Sequence, residues 1–424
     1  MRFERLADWL AWQEGLHPNP IDLGLERIRL VLQRLGLSAP ACPVITIAGT
    51  KGKGSCAALL DSMLSAAGYR VGIFTSPHLR RYNERIHIAG VEVSDASLCA
   101  AFERIDQARG DISLTYFEFN ALAAFLCFET ARLDAWVLEV GMGGRLDAVN
   151  VLDADVAIVT AIGLDHTEWL GDDLDSIARE KAGIYRAGRP ALFGSAEMPM
   201  AIRQVVEEVG AQLLRAGQDF GFERRQHGWT WVMGAQRIEA LPLPAIAGDV
   251  QLANASCAIA ALQLLRARLP MTRAALDLGL RQVRLNGRLQ RVVDARTGAE
   301  WILDVAHNTL SATVLAQHLA TLPRCPTLAV MGVMADKDID GIMQALREQI
   351  DEWLVVSLPS PRAVQAEMLA QRLRTSGLKV LATAEKLDAA LALADTQCVA
   401  GRCKRVLVFG SFLAVGPALD WLGL

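Results

Sequence analysis

The sequence predicts an α/β protein in two parts. Residues 1–290 should form a mainly parallel sheet with a small antiparallel excursion, and residues 291–424 a second, Rossmann-like α/β sheet. Three observations predict this. Apolar runs of strand length alternate with amphipathic helical stretches from residue 44 onward, the pattern of a mainly parallel sheet. A glycine-rich loop separates the first of these strands from the helix after it, and the alternation restarts beyond a turn-rich stretch at 286–298.

In chain order, residues 44–48 read as a buried strand. The helix that follows carries Cys56, Leu59, Leu60, Met63, Leu64 and Ala67 on one face and is ended by Gly68. Residues 71–75, 135–140 and 156–161 read as further strands. Between 212 and 244 the pattern weakens, with Phe222, Trp229, Trp231 and Ile238 among polar residues, which predicts the antiparallel excursion. Helices are expected over 254–269 and 273–283. After the junction, 302–306, 327–333, 353–358 and 406–410 are strand-like and separated by helical stretches.

Composition narrows the function. The 424 residues are 52% apolar and 21% charged, ordinary for a folded enzyme, and 43 basic against 47 acidic residues leave a net charge of −4. With no concentrated basic run, nucleic-acid binding is not expected. The first ten residues include Arg2, Glu4, Arg5 and Asp8 and lack a signal-peptide core, and no apolar stretch reaches membrane-spanning length. A cytoplasmic protein with no membrane partner is the expectation. The eight cysteines show no CxxC pairing and read as reduced, mostly buried thiols. Lysines number only seven in an arginine-rich chain, which suggests that lysine is kept where a guanidinium would not serve.

The strongest chemical signal is Gly49-Thr50-Lys51-Gly52-Lys53-Gly54-Ser55, set between a strand and a helix. Glycines let backbone N–H groups close around phosphate oxygens, the helix N-terminus adds positive potential, and Lys53 supplies a cation for the β/γ-phosphates. The first part is therefore read as a P-loop ATPase domain, although Gly54 separates the lysine from Ser55 and the generic P-loop pattern is not met.

Three more segments end strands that should share one sheet edge. Residues 71–75 lead to Ser76, the next strand ends at Glu139, and the fourth leads to Asp165-His166. Ligands of open α/β sheets bind beyond the carboxyl ends of the strands, so Ser76, Glu139 and His166 can converge on a nucleotide's Mg²⁺. Taken alone, Glu139 reads equally well as a structural ion-pair partner, and His166 reads better as a satisfied loop histidine; only the combination with the phosphate loop favours the metal reading.

The motifs together resemble the folylpolyglutamate synthase family, in particular its bifunctional bacterial members that also act as dihydrofolate synthases, with the Mur ligases as wider relatives. The resemblance rests on the loop from Gly49 to Ser55, on Ser76-Pro77-His78-Leu79, and on Thr115-Tyr116-Phe117-Glu118. It extends through Leu138-Glu139-Val140-Gly141-Met142-Gly143-Gly144-Arg145-Leu146-Asp147 and Leu164-Asp165-His166-Thr167. It ends with Glu180-Lys181-Ala182-Gly183-Ile184 and Asp304-Val305-Ala306-His307-Asn308.

That resemblance implies ATP-dependent ligation of L-glutamate to dihydropteroate and to folates through an acyl phosphate. ATP and two Mg²⁺ ions are the implied cofactors, with a monovalent cation as a further candidate. Thr50, Lys51, Gly52, Lys53, Gly54 and Ser55 would hold the phosphates, and Asn254, Arg288 and Asp304 other parts of the nucleotide. Ser76, Glu139 and His166 would ligate metal together with Lys181, which matches the lysine carbamylated in this superfamily. His307 lies in the loop tied to the acyl-phosphate step, so Lys53, Lys181, Asp304 and His307 are the implied catalytic set. Asp22, Leu23, Gly24 and Leu25, with Thr115, Tyr116, Phe117 and Glu118, and with Leu146, Asp147 and Ala148, match the dihydropteroate pocket. From the residues alone, 115–118 reads as a helix start with a packed aromatic. A monomer is the family expectation.

Lys51, Asn286 and Thr309 depart from common family residues, asparagine for the first and proline for the other two. A Mur-type ligase acting on a UDP-sugar is the nearest rival. It should carry a further domain before the loop, where only 48 residues precede Gly49. A P-loop switch protein is the other rival, and the 304–308 motif argues against it.

Overall fold

The computed structural model describes residues 2–226 and 228–424. They divide into two compact units, the first comprising 1–245 and 251–284, the second 246–250 and 285–424. Asn286 and Arg288 thus belong to the second unit. The local reason is that Leu289 N–H donates to Asp304 Oδ2 at 2.8 Å, and the next strand pairs with the one that ends at Asp304.

The first unit holds β1 (Val44–Ala48), β2 (Val71–Phe74), β3 (Ile86–Ile88), β4 (Val91–Glu92), β5 (Ala135–Glu139), β6 (Val156–Val159), β7 (Pro190–Phe193) and β8 (Gln212–Arg215). They form one sheet in the order β4-β3-β2-β5-β1-β6-β7-β8. From β2 through β8 the pairing is parallel, and β3 and β4 add an antiparallel edge. β1, β2, β5 and β6 are buried along their whole length. That is why they read as continuous apolar runs, since helices cover both faces of such a sheet.

A separate three-stranded antiparallel sheet contains β9 (Phe220–Arg224), β10 (Trp229–Met233) and β11 (Gln236–Leu241). The antiparallel excursion therefore starts at Phe220. Residues 212–215, expected within it, instead extend the parallel sheet as β8. Trp229 and Trp231 anchor the excursion: both are fully buried, and their indole N–H groups donate to Pro242 O and Ser256 O at 2.8 and 3.1 Å.

The helices follow their caps. Asp95–Arg109 starts at Ser94, whose hydroxyl accepts from Ser97 N, and Tyr116–Ala131 starts at a capping box between Thr115 and Glu118, each cap worth about 1 kcal/mol. The helix expected over 254–269 runs earlier, Val250–Leu264.

The second unit carries β12 (Gln290–Val293), β13 (Glu300–Asp304), β14 (Thr327–Met331), β15 (Glu352–Val356), β16 (Val380–Ala384) and β17 (Arg405–Phe409). Their order is β12-β13-β17-β14-β15-β16, antiparallel only between β12 and β13. β13 begins two residues before the expected 302 because Glu300 pairs with Arg405 across the sheet and takes its guanidinium in an ion pair of 2.7 Å. Among the described residues no helix is long and apolar enough to cross a membrane.

Candidate active site

β1 lies between β5 and β6, so the loops leaving its carboxyl end and theirs meet at the middle of the sheet. This is where an open α/β sheet places ligands. The loop after β1 is laced to the loop after β6. Thr50 N donates to Ala161 O at 2.7 Å, and Thr50 Oγ1 donates to Gly163 O while accepting from Gly163 N, both at 3.0 Å. Beneath it the buried Thr160 places its hydroxyl against Lys51 O and Ala48 O.

Two glycines make the loop's path possible. Gly49 has φ +144°, and a Cβ there would lie 2.0 Å from Thr160 Oγ1. Gly52 has φ +86°, and a Cβ there would lie 2.4 Å from Asn254 Oδ1. Gly52 also caps the helix Lys53–Ala66, whose first residues are therefore Lys53, Gly54 and Ser55. Asn254 is buried, and its amide donates to Gln251 Oε1 at 2.9 Å, one turn earlier on the same helix. Gln251 and Thr160 were not legible as site residues, because their roles lie in contacts across the fold.

Two lysines meet at one backbone oxygen. Lys53 Nζ donates to Gly49 O at 3.0 Å, and Lys181 Nζ reaches the same atom at 3.3 Å. Lys181 is 4% exposed. Burial, and then the charge of Lys53, lower its pKa to about 7, against the opposing pull of Asp165 and Asp147. A neutral amine is thus accessible near neutral pH.

Glu139 ends β5, is buried, and accepts from Ser76 N at 3.2 Å. Gly54 lies beside it, since a Cβ there would sit 3.7 Å from Glu139 Oε2. His166 is exposed and holds φ +52°, the left-handed region that non-glycine residues seldom adopt. Strain of this kind is tolerated where surrounding structure fixes it. Among the described residues no group of three or more His, Cys, Asp or Glu forms a ready-made metal cage. One buried carboxylate at a phosphate loop suits Mg²⁺, which binds through one or two carboxylates and completes its shell with waters and substrate phosphates.

The residues expected around dihydropteroate divide by role. Thr115 gives its polar atoms to one oxygen of Glu118: Glu118 Oε2 accepts from Thr115 N and Oγ1 at 2.8 and 2.9 Å. The helix-start reading of this segment is what the local geometry displays. Arg27 links it to the expected loop, donating to Asp22 Oδ2 at 2.8 Å and to Glu118 Oε2 at 3.3 Å. Leu23, Gly24 and Leu25 follow Asp22, half-buried.

The Phe117 ring packs 5.7 Å from Phe74 and against Gly141, where a Cβ would lie 2.6 Å from it. Tyr116 stacks under Arg85, which in turn donates to His78 Nδ1 at 2.8 Å. Asp147 is buried, accepts from Met142 N and Val149 N, and is pushed up to about 7 by burial. Leu146 and Ala148 flank it, half-buried and buried.

The second unit carries its own cluster. Asp304 Oδ1 accepts from Ala306 N at 2.8 Å while Oδ2 takes Leu289 N, so the carboxylate shapes the turn that presents His307. His307 Nδ1 lies 2.8 Å from Val305 O. A carbonyl only accepts, so Nδ1 carries the proton. Phe412 lies 6.0 Å from the His307 ring and 5.5 Å from the Arg288 guanidinium. Thr309 opens the helix Thr309–Thr321 at a position that needs no N–H partner, where proline also fits, and its hydroxyl donates to Asp338 at 2.7 Å.

Residues 47–262 match the model of the Mur ligase middle domain, and 287–412 that of the Mur ligase glutamate ligase domain. The chain is 44% identical over 416 residues to the dihydrofolate synthase/folylpolyglutamate synthase of Escherichia coli K12, covering 98% of this chain and 95% of the relative. The chain belongs to the dihydrofolate synthase/folylpolyglutamate synthase family of Mur ligases. The Mycobacterium tuberculosis member is 34% identical over 469 residues, covering 100% of this chain and 94% of its own.

Solved family structures agree in fold over the whole length. E. coli FolC in complex with DHPP and ADP superposes with a TM-score of 0.92 at 42% identity, covering 99% of this chain and 98% of that one. A bifunctional family member with Mn, AMPPNP and L-glutamate bound gives 0.90 at 42% identity, with 99% and 98% coverage.

Proposed function

We propose that this chain is an ATP-dependent ligase that joins L-glutamate to dihydropteroate, forming dihydrofolate, and to folates, forming polyglutamates. The observation that carries this reading is the phosphate loop at the centre of the sheet, with Lys53 and Lys181 on Gly49 O and Glu139 alongside, in a chain that matches bifunctional family members end to end.

A carboxylate does not condense with an amine in water unless its oxygen is first made a leaving group. A carboxylate oxygen of the acceptor attacks the γ-phosphorus of ATP, the bond to the bridging oxygen breaks, and ADP leaves. The glutamate amine then attacks the acyl carbon, phosphate departs, and the nitrogen loses its proton. Phosphoryl transfer of this kind depends chiefly on positioning and charge neutralisation.

The backbone N–H groups of Lys51, Gly52, Gly54 and Ser55 cradle the phosphates, Thr50 holds the loop in place through its bonds to Ala161 and Gly163, and Lys53 neutralises charge that builds between the β and γ groups. Ser76, Glu139, His166 and a carbamylated Lys181 would hold Mg²⁺, which when bound would supply further neutralisation of the phosphate oxygens. Asn254, Arg288 and Asp304 bind the rest of the nucleotide. His307, with its Nδ1 proton committed to Val305 O, offers Nε2 as an acceptor to the incoming amine. Asp22, Leu23, Gly24, Leu25, Thr115, Tyr116, Phe117, Glu118, Leu146, Asp147 and Ala148 form the acceptor pocket. The protein acts as a monomer in the cytoplasm.

Purified protein assayed with ATP and glutamate, against dihydropteroate and tetrahydrofolate in parallel, tests the reading. ADP release should require both the acceptor and glutamate. Release that is indifferent to glutamate would exclude ligation.

A further inference from the structure

In the second unit the helix Leu387–Val399 turns through Gly401, at φ +68°, directly into β17. The turn is tight: Gly401 N donates to Cys398 O and Arg402 N to Gln397 O, both at 2.9 Å. This brings Cys398 and Cys403, with four residues between them, face to face with their sulfur atoms 2.8 Å apart. Both are almost fully buried, at 5% and 6% exposure. Cys403 also lines a cavity of about 690 Å³ together with Cys325, Arg324, Lys379 and Arg402. Small solutes thus have a route to the pair from the Cys403 side.

We propose that Cys398 and Cys403 form a reversible intramolecular disulfide, a modification site separate from the ligase chemistry, which small peroxides close. The geometry is already in place. An S–S bond is about 2.05 Å long, so closing the pair takes less than about 1 Å of sulfur motion. The chemistry is also in place. The close contact between the two sulfurs holds the Cys398 thiol below its ordinary range, while the same contact and burial push Cys403 up. The two thiols are thus shifted in opposite directions, with Cys398 the more acidic of the pair.

The Cys398 thiolate attacks one oxygen of hydrogen peroxide, the O–O bond breaks, and a sulfenic acid and hydroxide result. The Cys403 sulfur then attacks the sulfenic sulfur, the S–O bond breaks, and water leaves. Two thiols and one peroxide become one disulfide and two waters. The bond joins the end of a helix to the start of β17, whose far end lies beside the turn at Ala306, where Gly410 N donates to Ala306 O at 3.0 Å. The bond forms at the opposite end of that strand from Asp304 and His307.

The full chain, reduced and desalted, is treated with stoichiometric hydrogen peroxide, unfolded in N-ethylmaleimide and weighed intact. The expected result is two fewer maleimide additions than the eight of the untreated chain, restored by dithiothreitol, with peptide mapping placing the bond between Cys398 and Cys403. Cys398→Ser and Cys403→Ser should each abolish the bond. Full alkylation after peroxide, or a bond from Cys403 to Cys325, would overturn the proposal, and the wild-type measurement decides this even where a variant fails to fold. Glutamate-dependent ADP release by the oxidised protein should stay within about twofold of the reduced protein. A loss of activity reversed by dithiothreitol would overturn the separation from the ligase chemistry.

Discussion

The side-chain ammonium groups of Lys53 and Lys181, 128 positions apart in sequence, share one acceptor, the carbonyl oxygen of Gly49, at 3.0 and 3.3 Å. Two cations on one neutral oxygen repel each other, and the repulsion is one reason the buried Lys181 gives up its proton near pH 7. The arrangement is relieved if Lys181 becomes an anion. Reaction of the neutral amine with CO₂ does this, and the resulting carbamate oxygens suit Mg²⁺.

Lys181→Arg should therefore be nearly inactive although it keeps charge and approximate length, since a guanidinium forms no such carbamate. Lys181→Ala should regain part of its activity with added short carboxylates. Activity should fall as pH drops below about 7, where the ammonium form holds the amine. A ¹³CO₂-labelled sample should give a carbamate carbon signal, and a bare nitrogen in a fully active, metal-loaded enzyme would refute the assignment.

Lys53→Ala should lower kcat by at least about a hundredfold, the scale for losing one preorganised charge contact. The circular dichroism spectrum should be unchanged, because the side chain is half-buried and bonds to the loop itself, at Gly49 O. Near-normal turnover in a folded variant would remove the phosphate loop from the mechanism.

Thr160→Val keeps the shape beneath the loop but deletes the hydroxyl that bonds Lys51 O and Ala48 O. A buried carbonyl left without a donor costs about 1–3 kcal/mol, so the loop should loosen and the KM for ATP rise about tenfold or more. Thr160→Ser should restore it. Equal kinetics for the valine and serine forms would make the hydroxyl irrelevant to nucleotide binding.

Phe117→Ala should impair dihydrofolate synthesis more than folate polyglutamylation. Gly141→Ala should mimic it, because the new methyl would displace the Phe117 ring it meets at 2.6 Å. Equal losses with both acceptors would leave Phe117 as packing against Phe74 and nothing more.

What the sequence disclosed and what it withheld follow from the range of the interactions. β1, β2, β5 and β6 were legible because burial on both faces writes a continuous apolar run. The phosphate loop was legible because its glycines and lysines are consecutive. The β3–β4 edge was not, since strands of three and two residues are too short to show a period. Thr160 and Gln251 carry no motif of their own; each acts on a loop or side chain that only the fold brings near. The pocket expected at Thr115 and Glu118 came from family likeness, and locally those residues cap a helix.

Ile47 on β1 stands in register with Glu139 on β5, and the phosphate loop departs two residues beyond Ile47. Side chains alternate faces along a strand, so sliding either strand by one residue would turn every side chain over and carry the Glu139 carboxylate to the far side of the sheet. The length of chain between them does not enter that constraint. Residues added to the surface turns of the β1–β5 crossovers should be tolerated by the active site. One residue inserted into β1 or β5 should abolish it while leaving much of the helical signal intact, so insertion scanning would find both strands as intolerant as the phosphate loop itself and the surface turns permissive.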